Sequence, residues 1–186
     1  MTTKLSANDA FPATKLTDIH DIALAIPDSQ VKWTHLQFRR FAGCPICNLH
    51  LQSFVRRNAE LVAAGVREVV VFHSSREALL PFQGAFPFHV IGDPGKKLYR
   101  QFGVETSLKA LLNPAVWPVM FKGGLAKNKP KGAPEGGLLG LPADFLISSD
   151  GRVIESHYGK HAYDQWSVDQ LLELVRGVRA SQPRSA

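Results

Sequence analysis

Sulfur is scarce in this chain, whose 186 residues hold two cysteines and two methionines. Two cysteines allow one disulfide at most, which is no framework for a small bridged domain. Long apolar runs are also missing, and none approaches the length a membrane-spanning helix needs. Residues 1–10 contain no apolar stretch of the export type. A soluble, cytoplasmic protein with no membrane partner is expected. Charge is sparse as well: 20% of residues are charged, and the formal net charge of +6 is spread along the chain. No basic cluster is interleaved with aromatics, so nucleic acid is not an expected partner. No internal repeat is visible. The 45% hydrophobic content is ample for the core of one compact domain.

The order of elements reads from periodicity and turn chemistry. Residues 1–15 read as a loose leader, and Leu16–Ile26 as a short strand or irregular lead-in before the Pro27-Asp28-Ser29 turn. Val31–Arg39 has strand composition. From Cys47 through Val62, apolar residues recur at helical spacing, and Gly65 marks the stop. Glu68–Phe72 suits a central strand buried on both faces. A helix capped by Ser74 or Ser75 follows, then a Phe88–Ile91 strand. Next comes a helix with Asp93 as N-cap and Pro94 in its first turn, ended by Gly103. Asp144–Ser148, Ser149-Asp150-Gly151 and Arg152–Tyr158 form a hairpin signal. Ser167 caps a final helix, with Gln170 at the capping-box position and Trp166 and Leu171 as its apolar staple. Residues 105–141, with prolines and then a Lys-, Gly- and Pro-rich stretch, read as an inserted excursion, and 181–186 as a tail. The domain thus spans 16–180: an α/β fold with a central mixed sheet.

The two cysteines stand together in Phe41-Ala42-Gly43-Cys44-Pro45-Ile46-Cys47, where the Val31–Arg39 strand gives way to the helix. A Cys-x-x-Cys at a strand-to-helix junction suits thiol–disulfide chemistry. Unpaired N–H groups and the helix dipole favour a thiolate there. Arg39 and Arg40 add positive charge nearby, and Pro45 fits the first helical position. Three residues of spacing place both sulfurs on one face of the first turn, within reach of a disulfide. Cys44 is expected at the exposed lip as the attacking thiolate, and Cys47 one turn deeper as the resolving thiol. Other chemistries are less well served. Cys44, Cys47 and His50 are three candidate metal ligands, but no second pair completes a usual zinc set. His157 and His161 have suggestive spacing in a loop. Covalent haem would need His where Asn48 stands. An inert buried pair is the structural alternative. No metal and no cofactor are expected. His73 and His89, near strand ends, receive no role.

These motifs resemble the thioredoxin superfamily and, within it, the peroxiredoxin-like AhpC/TSA branch. The similarity is carried by Leu36–Cys47, by Asp93-Pro94 with Leu98-Tyr99 and Phe102-Gly103-Val104, and by Leu141–Ile147. The resemblance implies a thioredoxin-like three-layer α/β/α fold with the insertion before the late β-hairpin. It implies an antioxidant thiol enzyme, and Gly43, Pro45, Arg39, Arg40 and Pro142 as support for Cys44 and Cys47. Pro142 is similar in position to the cis-proline that faces the active cysteine in that superfamily. The chain departs from the peroxidatic Pro-x-x-x-Thr/Ser-x-x-Cys motif, because Gln37 holds the Pro position and Phe41 the hydroxyl position. The active-site arginine is replaced at or near Pro142. Disulfide reduction is therefore the leading expectation, with hydroperoxide reduction by Cys44 as the enzymatic rival. A redox-sensing binding module, suggested by Trp117, Met120, Phe121 and Lys122, is the non-enzymatic one. Expected partners are protein or small-molecule disulfides, or hydroperoxides, together with a cellular thiol reductant such as thioredoxin or glutathione. A homodimer is compatible with this reading.

Overall fold

The computed structural model describes residues 4–104, 135, 137 and 140–181. Its elements run β1 (Thr14–Thr17), β2 (Ala23–Ile26), β3 (Trp33–Arg39), α1 (Pro45–Arg56), α2 (Asn58–Ala63), β4 (Val66–Phe72), α3 (Arg76–Gln83), β5 (His89–Gly92), α4 (Lys97–Gln101), β6 (Ala143–Ser148), β7 (Val153–Tyr158) and α5 (Val168–Ser181). Five strands form the central sheet in the order β5-β4-β3-β6-β7. β3, β4 and β5 are parallel, as their helical crossovers require, whereas β6 and β7 add antiparallel pairs. This is the expected mixed sheet in a thioredoxin-like three-layer fold. β1 and β2 form a separate antiparallel hairpin from the expected lead-in.

Strand alternation sorts the core into two sides. Leu36, Phe38, Val69, Val71, Phe145 and Ile147 point to one side and pack with Tyr99, Phe102 and the β2 residues Leu24 and Ile26. On the other side Val70, Phe72 and Leu146 meet α1, α3 and α5 through Leu51, Phe54, Leu79, Leu171 and Val175. The final helix starts as its capping box predicts: Ser167 Oγ accepts from Gln170 N, and Gln170 Oε1 accepts from Ser167 N.

Several expectations are corrected. The leader is not loose from residue 4 onward. Asn8 N donates to Val153 O, Phe11 N to Gly151 O, and Phe11 is buried. The long helix after the cysteines breaks at Arg57, whose guanidinium binds Glu60 and Asp169. Asp93 is not the N-cap residue; α4 begins four residues later. Its carboxylate nevertheless accepts from the N–H groups of Lys97 and Leu98, which satisfies the first turn from a distance. The excursion expected at 105–141 lies outside the described residues except at 135, 137, 140 and 141.

The helix-facing side of β3 is polar. His35, Gln37 and Arg39 alternate with Leu36 and Phe38, yet all three are fully buried. They close a circuit with neighbouring strands. His35 Nδ1 lies 2.8 Å from Glu68 Oε2 on β4, and its Nε2 lies 3.2 Å from Asp144 Oδ1 on β6. Arg39 Nη2 donates to Asp144 Oδ1 at 2.6 Å and to Gln37 Oε1 at 2.5 Å, and Gln37 Nε2 donates back to Glu68 Oε2 at 2.5 Å. Both His35 nitrogens face carboxylates, so the ring is an imidazolium. It stacks on Phe54 and Trp166, which shield it from water.

Burial works against both charges of the His35–Asp144 pair. For His35, Glu68 and then Asp144 overcome it and push the pKa up to about 9 from an ordinary 6.5. For Asp144, Arg39 and then His35 overcome it and hold the carboxyl far below its ordinary 3.8. An unfolded chain releases the His35 proton near pH 6.5, whereas the native protein keeps it to about 9. The His35 contribution is therefore complete below 6.5 and is lost as pH rises through 9; that of Asp144 is present above 3.8 and fades in acid. Urea unfolding should show a stability plateau between these limits. A decline of up to about 3 kcal/mol is expected on the alkaline side. His35→Gln should flatten that alkaline decline; an unchanged slope would contradict the imidazolium assignment.

Candidate functional site

The β3 chain leaves the sheet at Arg39 and turns into α1 through Phe41-Ala42-Gly43-Cys44. Cys44 N donates to Phe41 O at 3.1 Å, closing a β-turn whose third residue, Gly43, has φ +68°. A side chain is strained at that φ, and a Cβ there would stand 2.9 Å from the Phe82 ring. Ser74 Oγ accepts from Ala42 N at 2.9 Å and fixes the turn against the end of β4. Cys44 is the N-cap of α1, and Pro45 opens the helix where no N–H is needed.

Both cysteines are free thiols. Cys44 has 0% of its surface exposed and Cys47 2%. The expected exposed lip is thus corrected: both sulfurs are buried in an apolar cluster with Phe41, Ile46, Leu51 and Phe72. The sulfurs lie 2.8 Å apart, with Cys47 Sγ donating to Cys44 Sγ. Cys44 Sγ also accepts from Cys47 N at 3.4 Å and from Arg40 Nη2 at 3.1 Å.

One proton leaves this pair easily and the second does not. Burial resists charge on either sulfur. For Cys47 the hydrogen bond with Cys44 and the field of Arg40 overcome it and bring the thiol down to about 6. For Cys44, burial and the adjacent Cys47 push the thiol well above the ordinary range. At 2.8 Å the charge belongs to the pair. Arg40 Nη2 and the helix N-terminus donate to Cys44, and Arg40 also donates to Cys47 through its backbone.

The two neighbouring arginines have different fates. Arg39, expected beside the sulfurs, is bound into the buried circuit by Asp144 and Gln37; its charge reaches Cys47 only as a field. Arg40 turns to the dithiol and lies over the Phe41 ring, 5.4 Å from its centroid. Pro142 is not a cis residue; among the described residues the cis peptide is Ile26–Pro27. Pro142 instead leads directly into β6, and its carbonyl accepts from Gly159 N at 2.9 Å, extending the β6–β7 pairing.

Sequence reasoning did not single out Glu68 or Asp144, and it considered His50 only as a metal ligand. Among the described residues, no three His, Cys, Asp or Glu side chains are grouped to hold a metal ion. His157 is engaged by Asp164 at 2.7 Å. His73 N donates to Arg40 O, and its Nδ1 lies 3.2 Å from Glu135 O. His89 pairs with Asp18 at 2.8 Å. No helix among the described residues is long and apolar enough to cross a membrane.

A sequence profile for a family described as AhpC/TSA antioxidant enzyme matches residues 53–161, a segment that begins just after the cysteines. No curated protein sequence matches the chain. Among solved structures, peroxidoxin BcpB from Mycobacterium tuberculosis is similar over 96% of this chain and 99% of its own, with a TM-score of 0.67 and 15% identity. Mycobacterium tuberculosis AhpC is similar over 97% and 96%, with a TM-score of 0.66 and 15% identity. A structure described as a thiol:disulfide interchange protein DsbE from Chlorobium tepidum is similar over 92% and 99%, with a TM-score of 0.61 and 19% identity. At these identities the likeness is one of fold.

Removing the cation at the sulfurs should make the pair harder to ionise. Arg40→Gln is expected to raise the first ionisation, now at about 6, by about one to two units. Ultraviolet thiolate absorbance followed against pH measures this directly. A curve that superimposes on the unmutated one would contradict the Arg40 contact.

Proposed function

This chain belongs to the AhpC/TSA antioxidant enzyme family, and from that membership we propose that it acts as a disulfide reductase through a Cys44–Cys47 dithiol. Thiol oxidoreductase activity comes with the family; the proposal concerns the sulfurs and the bond they attack. The observation that carries it is the pair of free sulfurs 2.8 Å apart, with Arg40 Nη2 3.1 Å from Cys44.

Cys44, the N-cap of α1, is the attacking sulfur in this reading: its Sγ accepts from Arg40 Nη2, Cys47 N and Cys47 Sγ. Its thiolate forms a bond to one sulfur of a substrate disulfide, and the other substrate sulfur leaves with the electron pair. Cys47 then attacks Cys44 and releases the second substrate thiol. The protein ends as a Cys44–Cys47 disulfide, oxidised by two electrons, and the substrate is reduced by two. Because both sulfurs are shielded from water, a substrate must displace the cover over Cys44. A thiol reductant such as thioredoxin or glutathione returns the pair to the reduced form. We place this cycle in a reducing, cytoplasmic setting, where the resting pair is the dithiol.

Hydroperoxide reduction at Cys44 is the second reading, and Arg40 favours it. A peroxidase needs a cation beside its sulfur to stabilise developing charge. Arg40 supplies one from the loop before α1, rather than from the region of Pro142. Phe41 argues the other way, since it holds the motif position of the hydroxyl that would bind the peroxide oxygen.

Single-turnover mixing of reduced protein with one equivalent of a disulfide, or of hydrogen peroxide, separates the two. Disulfide reduction should consume both thiols and lower the protein mass by two hydrogens, with peroxide reacting within about tenfold of a free thiolate. Cys44→Ser should silence the reaction, and Cys47→Ser should trap a mixed disulfide on Cys44. Fast peroxide turnover with slow disulfide exchange would establish the second reading instead.

A further inference from the structure

Arg40 and Cys44 are separated by three residues, yet their side chains meet, with Arg40 Nη2 3.1 Å from Cys44 Sγ. The chain must curl through Phe41, Ala42 and Gly43 for that contact to form. Within the curl, Cys44 N donates to Phe41 O at 3.1 Å. Two further anchors come from outside it, from consecutive residues just past the end of β4. His73 N donates to Arg40 O at 2.9 Å, and Ser74 Oγ accepts from Ala42 N at 2.9 Å. The pairing of β3 with β4 runs as far as Arg39 and Phe72. The His73 bond carries it one step further, and the Ser74 hydroxyl then takes the place of a main-chain partner.

Ser74 is itself firmly held. It is buried, and its carbonyl packs against the last residue of β5: a Cβ on Gly92 would stand 2.8 Å from the Ser74 oxygen. A residue fixed by its packing locates its hydrogen-bond partner sharply. That partner, Ala42, is buried too and sits at the middle of the curl, two residues from Arg40 and two from Cys44. The other titratable groups that act on the sulfurs are held independently of Ser74. Arg39 is bound by Asp144, and the Tyr99 hydroxyl, from α4, donates to the carbonyls of Arg39 and Val71.

We infer that Ser74 is a positioning residue for the dithiol: its hydroxyl holds Ala42 so that the Arg40 guanidinium meets the Cys44 sulfur. The consequence for disulfide reduction rests on the dithiol reading above; the consequence for charge on the sulfurs does not. Without the hydroxyl, the Ala42 N–H is left buried and unpaired, and the curl relaxes to satisfy it. The guanidinium then withdraws from Cys44, and the thiolate loses a charged donor.

Thiolate absorbance against pH, measured on the full chain, reads that loss. Ser74→Ala should raise the first ionisation of the pair by about one unit. Its attack on hydroxyethyl disulfide, a small neutral substrate, should slow by about threefold to tenfold in mild acid and recover in mild alkali, where the thiolate forms without help. Ser74→Thr keeps a hydroxyl and should regain most of both, which a purely structural loss would not produce. In an Arg40→Gln background, Ser74→Ala should move the ionisation by less than about 0.2 unit, because the guanidinium it positions is gone. A titration unmoved by Ser74→Ala, or a shift of equal size in the Arg40→Gln background, overturns the Ser74 role and leaves the dithiol reading standing. A titration that depends on Ser74 in a protein that reduces no disulfide at any pH supports the Ser74 role and overturns the dithiol reading.

Discussion

Five polar side chains, all shut away from water, close a circuit of hydrogen bonds across β3, β4 and β6: Glu68, His35, Asp144, Arg39 and Gln37. Burying two cations and two carboxylates carries a large desolvation cost, offset only where each charge meets its opposite at short range. That condition fixes the sheet. His35 must lie opposite Glu68 on one side and near Asp144 on the other, and the β3 registers with β4 and β6 place them so. A one-residue slip of any of the three strands would turn a charge into the apolar core on the far face. Removing one partner from a buried pair of this kind typically costs about 3–5 kcal/mol.

The circuit also decides what reaches the cysteines. It holds the Arg39 guanidinium to Asp144, so that Arg40 alone of the two neighbouring arginines makes a hydrogen bond to Cys44 Sγ among the described residues. The site is therefore graded in charge, from a neutralised ion cluster beneath α1, through a neutral imidazole at His50, to a thiol pair with one cation at hand. Such a gradient lets the dithiol carry negative charge in an otherwise apolar cover.

The fold was largely legible in the residues. Alternation and turn chemistry located the five sheet strands, and Ser167 with Gln170 located the last helix, because these signals are local. The Cys-Pro-Ile-Cys spacing put both sulfurs on one helical turn for the same reason. What stayed hidden depends on neighbours distant in the chain. His35, Gln37 and Arg39 already spelled a polar face on a strand otherwise fit for the core, but their carboxylate partners lie on β4 and β6. The burial of Cys44 comes with an apolar cluster that draws Phe72 from β4 and Leu79 from α3, and a trans Pro142 leads into β6. Asp93 shows the limit at short range: its capping role was readable, but the intervening turn that moves the helix start was not.

The central claim is that Cys44 and Cys47 form one two-electron couple. Equilibration of the protein across a series of glutathione redox buffers, followed by alkylation of the remaining thiols and mass measurement, tests it. The two thiols should vanish together in a single transition that yields an intramolecular disulfide, with no singly alkylated species populated. Separate titration of the two cysteines, or stable glutathione adducts in place of the Cys44–Cys47 bond, would contradict the account.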